Sequence, residues 1–239
     1  MLLFVVYAGI IFCASVASVV AGFGFSTISL AILSLYMPFQ VALLCVGILH
    51  LLVSLYKVIA FKGAFNRISF LFMSGGILFS FIAAHFIGHL PIPMLKKGMG
   101  LFLIVYPVFV LYRPQMHLPY NPSIAFLGGS LSGIFAGLIG MGGAIRSFFL
   151  SLYNLPKEMF IATGGLIALA VDVTRLSVYL YSFDVNLTQI GQLLIVGLPS
   201  LIFGFLIGRQ VLLYIPQHYF RLFVSFALAL VGVSIWMTH

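Results

Sequence analysis

Few residues in this sequence can do chemistry, and their spacing groups them. His50, Ser54 and Lys57 stand at i, i+4 and i+7, which puts them on one face of a helix. Asp172 and Arg175, at i and i+3, can pair on the face of another, and Asp172 can serve simply to neutralise Arg175. Two glycine-rich stretches, Ala21-Gly22-Phe23-Gly24-Phe25 and Gly140-Met141-Gly142-Gly143, come just before Ser26-Thr27 and Arg146-Ser147. A helix that opens at such a break offers unpaired N–H groups and the positive end of its dipole. That suits an anion, and glycine lets a ligand approach the backbone closely. The same glycines also permit tight helix packing, which is common in membranes.

Catalysis has little to work with. The acids are Glu158, Asp172 and Asp184, and the sequence has no phosphate loop, no Ser-His-Asp order and no paired acids. His85 and His89 are spaced i, i+4, as metal ligands on one helix face can be, but no HExxH, CxxC or carboxylate accompanies them. We read them as interfacial structural histidines and expect no catalytic residue, no metal and no cofactor. Two rival readings stay open at this point. One is a membrane-embedded His-dependent metal or redox enzyme using His50, His85 and His89; the other is a non-catalytic subunit of a larger membrane complex.

The elements that must position these residues follow from composition. Of 239 residues, 63% are hydrophobic and 6% charged, with 11 Lys and Arg against 3 acids, a net charge of +8. Soluble domains carry about a quarter charged residues, so this chain cannot build a water-facing surface. At about 20 apolar residues per crossing, it reads as a polytopic membrane protein and excludes most soluble enzymes. Its cations are scattered singly, which gives no nucleic-acid footprint. Cys13 and Cys45 both lie in apolar runs and read as packing residues. Apolar runs divided by Pro, Gly and charge predict segments at 2–20, 25–37, 40–61, 67–88, 94–112, 124–139, 143–154, 158–180, 186–207 and 215–237. The polar stretch Arg113–Pro122 separates a first repeat, 1–112, from a second, 124–239, with 113–123 as linker.

A shift of 118 positions supports that division. It lays Gly22 on Gly140, Gly24 on Gly142, Ser29 on Ser147, Pro38 on Pro156, Gly47 on Gly165 and Lys57 on Arg175. Agreement at Gly and Pro encodes backbone breaks rather than hydropathy. The first twenty residues lack a basic leader and correspond to 119–138, so they read as a membrane segment rather than a signal peptide. Five segments per half place the halves in opposite orientations. Lys62, Arg67, Arg113, Lys157, Arg209 and Arg221 then share the cytoplasmic side, with Lys96 and Lys97 outside, as the positive-inside rule favours. In that frame Lys57 lies about one turn from a cytoplasmic helix end and can snorkel. Arg175 emerges on the outer side, where the rule gives no reason for it. Segments 25–37 and 143–154 are too short to span about 30 Å of hydrocarbon. Each therefore closes a hairpin whose apex stops inside the membrane. The expected fold is an all-α polytopic membrane protein of two inverted-topology repeats, each with a short broken or re-entrant helix pair. Short interrupted segments at corresponding places in inverted halves point to a transporter's midplane site.

These residues resemble a family. Gly22 and Gly24 with Pro38, Ser132-Gly133 through Gly137, Gly140-Met141-Gly142-Gly143 with Pro156, then Thr163-Gly164 and Arg175 to Tyr179, are similar to the TauE/SafE sulfite exporter family over essentially the whole chain. The second half fits better; Phe25 stands where the family's motif is richer in Gly, and Cys45-Val46-Gly47 lacks the second half's Thr. The resemblance implies transport of sulfite, thiosulfate, organosulfonates or related anions across the prokaryotic inner membrane. With the residue reading it suggests substrate binding by Gly22, Gly24, Ser26, Thr27, Gly140, Gly142, Gly143, Arg146, Ser147, Thr163 and Arg175. His50, Ser54, Lys57 and Asp172 are the candidate pathway or ion-coupling residues. The expected partners are a small anion, the lipid bilayer and, for uptake, H⁺ or Na⁺, with no nucleic acid; an oligomer remains open.

Overall fold

The computed structural model describes residues 2–34, 36–87 and 121–216, with single positions among 97–105 and 219–237. The expected segments 94–112 and 215–237, the linker, and Lys96, Arg113, Arg221 and His89 lie wholly or largely outside them. The described residues form eight helices and no strand. They are α1 (Leu2–Ala21), α2 (Phe25–Leu33), α3 (Phe39–Ala60), α4 (Arg67–His85), α5 (Pro122–Ile139), α6 (Gly142–Ser151), α7 (Lys157–Ser182) and α8 (Leu187–Tyr214). Six of these, all but α2 and α6, are long and apolar enough to cross a membrane.

The helix boundaries sit where local chemistry puts them. Asn66, Asn121 and Asn186 accept backbone N–H bonds at the starts of α4, α5 and α8. Pro38 and Pro156 precede α3 and α7 in nearly the same backbone conformation, because proline lacks the N–H that a first turn leaves unpaired anyway. Gly22, Gly24 and Gly140 have φ of 82°, 105° and 70°, in the left-handed region that favours glycine. After Gly140 the chain doubles back, and Ser132 Oγ donates to Gly142 O at 2.9 Å. The short helices α2 and α6, of 9 and 10 residues, are about 14 Å long, under half the hydrocarbon thickness.

The helices pack in exchangeable pairs. α1 lies on α8 and α4 on α5, α2 touches α6, and α3 crosses α7. Swapping α1–α4 for α5–α8 leaves these pairs unchanged. At the α3–α7 crossing, a Cβ on Gly47 would meet Leu176, while one on Gly165 would meet Lys57. As numbers rise along α3 they fall along α7, so the two helices run antiparallel.

Lipid tails are as apolar as leucine, so close packing rather than burial from water holds such helices together. Large apolar side chains such as Val5 and Ile195 accordingly point outward, 64% and 72% exposed. Gly129, Gly133 and Gly137 repeat every fourth residue along α5. A Cβ on them would collide with backbone at Phe72, Gly76 and Ser80 of α4. Gly133 and Gly137, quoted above in the family motif, therefore serve helix packing. Gly133→Leu is expected to lower the melting temperature in detergent by about 5 °C or more, from overpacking of about 1–3 kcal/mol. Gly191→Leu, with nothing within 4 Å of its added Cβ, should leave it unchanged.

Candidate functional site

The charged residues buried among the described residues are Lys57, Arg146, Asp172 and Arg175, between 1% and 4% exposed. All four fall in one cluster with His50. His50 Nδ1 lies 2.6 Å from Asp172 Oδ2, joining α3 to α7, and Phe25 at the start of α2 stacks on the imidazole. Arg175 Nε donates to Asp172 Oδ1 at 2.8 Å, the i, i+3 pair expected from spacing. Arg175 Nη1 is buried with no partner and faces Gly140, whose added Cβ would lie 3.2 Å away.

Lys57 does not snorkel. It is 2% exposed, and Nζ donates to Ser18 Oγ at 2.7 Å and to Gly22 O at 3.1 Å. Its ammonium thus sits on the carbonyl end of α1, the negative pole of that helix. Proximity to a helix end was legible in sequence; the fold of α1 beside α3 turned the side chain inward.

Arg146 stands in the second turn of α6, since that helix begins at Gly142. Its guanidinium leans back over the first turn, where an added Cβ on Gly143 would be 3.5 Å from Nη2. No ion pair or hydrogen bond holds Arg146 among the described residues, although Asp172 is within electrostatic reach. A cation beside the positive pole of a helix is unfavourable unless an anion joins both.

The two breaks approach each other. A Cβ on Gly143 would lie 3.8 Å from Phe23, and Gly140 packs against Leu30 of α2 and Leu43 of α3. Gly22 packs against Phe160 and Ile161 at the start of α7. The hydroxyls of Ser26 and Ser29 on α2 and of Ser54 on α3 are buried without partners. Unpaired polar atoms inside a membrane protein are costly.

Several expected residues lie elsewhere or serve otherwise. Thr163 Oγ1 accepts from Asn66 Nδ2 at 2.7 Å and ties α7 to the loop before α4. Gly142 has no room for a Cβ because Ser132 and Ala136 of α5 press on it. Thr27 and Ser147 are buried on the short helices. His85 is exposed at the end of α4, its Nδ1 bonded to Phe81 O at 2.8 Å. Among the described residues no three of His, Cys, Asp and Glu gather as metal ligands would. Spacing alone missed Ser18 as the partner of Lys57. It also missed the hydroxyl of Tyr179, which donates to Ala136 O and Gly137 O at the end of α5. The visible signal is the unlike pair Ser18 and Ala136, 118 positions apart in the register that lays Lys57 on Arg175.

Six helices long and apolar enough to cross a membrane, packed around two short helices that open at glycine breaks, with charged side chains buried among them, define the class: a multi-pass membrane protein. Residues 7–235 match the family Sulfite exporter TauE/SafE, and the chain belongs to that family. Membership makes it a membrane transporter of sulfite or a related sulfur anion, consistent with a non-enzymatic role. No curated protein and no solved structure matches it.

Proposed function

We propose that this protein is a secondary transporter of small sulfur-containing anions, sulfite, thiosulfate or organosulfonates, in a prokaryotic inner membrane. A site where the two breaks meet opens alternately to each side. One observation carries the reading: three buried cations, Lys57, Arg146 and Arg175, face a single buried carboxylate, Asp172. An anion would relieve that excess, held by Arg146, Arg175 Nη1, the first turn of α6 and the hydroxyl of Ser26. Alternating access would follow from two repeats, 1–112 and 124–239, of inverted topology joined by 113–123. The antiparallel run of α3 and α7 and the exchangeable packing pairs support that arrangement.

A monovalent anion leaving a cell-negative interior moves with the potential, worth about 2.3 kcal/mol per 100 mV, so export needs no coupling ion. Uptake needs H⁺ or Na⁺, and the His50–Asp172 pair is then the place for a proton. The test is flux of sulfite, thiosulfate and methanesulfonate into liposomes holding the purified protein. At least one anion should move faster than through empty liposomes, and Arg146→Ala should cut that flux about tenfold or more, the worth of one charge-assisted hydrogen bond. Parent flux no faster than leakage, or unchanged flux in correctly inserted Arg146→Ala, overturns the reading.

A further inference from the structure

The two halves treat their equivalent cations differently, and the difference is readable in four pairs of residues. In the register of 118 positions Lys57 corresponds to Arg175, Ser18 to Ala136, Gly22 to Gly140 and Phe61 to Tyr179. Both cations stand beside the carbonyl end of the first helix of their own half. Lys57 is consumed there, by Ser18 Oγ and Gly22 O. Arg175 is not. Ala136 offers no hydroxyl, and the carbonyls of Ala136 and Gly137 already accept from the hydroxyl of Tyr179, at 3.1 and 2.5 Å. Phe61, at the corresponding place in the first half, has no hydroxyl to do the same for α1.

We propose that Tyr179 is a positioning residue: its hydroxyl satisfies the end of α5 so that Arg175 stays free to bind the transported anion. The inference rests on the anion site proposed above. Tyr179 suits the task because a phenol donates without charge and leaves the cation unspent. Its ring is buried, stacked on Phe183 with centroids 5.1 Å apart, and 5.9 Å from the Arg175 guanidinium carbon. Those contacts hold both side chains in place. Without the hydroxyl, Gly137 O loses its donor and Ala136 O keeps only the Gly140 N–H, and Arg175 Nη1, unpartnered beside Gly140, turns to Gly137 O as Lys57 turns to Gly22. The anion then competes with the helix end for one guanidinium, and apparent affinity falls by the fraction of protein whose Arg175 is free.

The experiment measures sulfite flux against sulfite concentration in liposomes holding the parent, Tyr179→Phe, Ala136→Ser or Arg175→Ala protein. Tyr179→Phe is expected to raise KM about tenfold, the worth of a charge-assisted hydrogen bond, with maximal flux per inserted protein within about twofold of the parent. Ala136→Ser, which supplies the hydroxyl that Ser18 gives Lys57, is expected to raise KM by about threefold while Tyr179 remains. If Tyr179 merely braces α5, its loss lowers melting temperature and the amount of inserted protein and leaves KM alone. An unchanged KM in Tyr179→Phe, with Arg175→Ala inactive, overturns the positioning role and spares the site. Unchanged flux in Arg175→Ala overturns the site and this role together. Should Tyr179→Phe fail to insert, an unchanged KM in Ala136→Ser overturns the proposal by itself.

Discussion

Arg175→Ala protein, correctly inserted in liposomes, is expected to move sulfite at least about thirtyfold more slowly than the parent. Truncating one member of a buried, hydrogen-bonded charge pair costs about 2–5 kcal/mol, much of it for the charge left behind. Here the charge left behind is Asp172, and the sign of the site changes with it. The pair of Asp172 with Arg175 becomes a carboxylate held by His50 alone, which repels the anion the site should attract. Arg175→Lys keeps the charge but is expected to recover little. An ammonium lacks the planar fork that bonds Asp172 through Nε while offering Nη1 elsewhere. Lys57 shows where an ammonium goes at this place, onto the end of the preceding helix. Flux in either variant equal to the parent's would remove Arg175 from the site.

Asp172→Ala is expected to be the most destabilising single change in the cluster, about 3–5 kcal/mol, or roughly 10 °C in melting temperature. It strands Arg175 and removes the acid that Lys57 and Arg146 also feel. The double variant Asp172→Ala/Arg175→Ala should be more stable than Asp172→Ala alone, because removing both charges leaves less buried charge unpaired than removing one. Melting in detergent, followed by tryptophan fluorescence of Trp236 or by loss of monodisperse protein, makes the comparison. A double variant no more stable than the single would mean that Asp172 does not hold Arg175 in place.

Much of the scaffold is legible in the sequence. Pro38 and Pro156 marked the starts of two long helices, and the glycine breaks marked the two short ones, because backbone exceptions are written in specific residue types. The short helices came out at 9 and 10 residues where spacing had suggested about a dozen, since a turn rather than helix leads into each proline. The pairing of Asp172 with Arg175 could be read from one turn of helix. Other roles could not. Nothing local distinguishes Gly133, which lets α4 approach, from Gly140, which bends the chain, or Gly143, which lies open beside Arg146. Each glycine means what its neighbour from another helix makes it mean.

The residue sequence by itself determined that this is a multi-pass membrane protein and that a few ionisable residues lie where lipid cannot tolerate them. Those conclusions rest on composition and on spacing within single helices, which no fold can alter. Tertiary structure decided which of those charges are spent. His50 meets Asp172 from a position 122 residues away, Lys57 is absorbed by the end of α1, and Arg175 Nη1 keeps no partner while the Tyr179 hydroxyl donates to the end of α5. Such assignments depend on which helix ends lie side by side. Packing fixes that, and hydropathy cannot, because every face of these helices is apolar enough to turn either way.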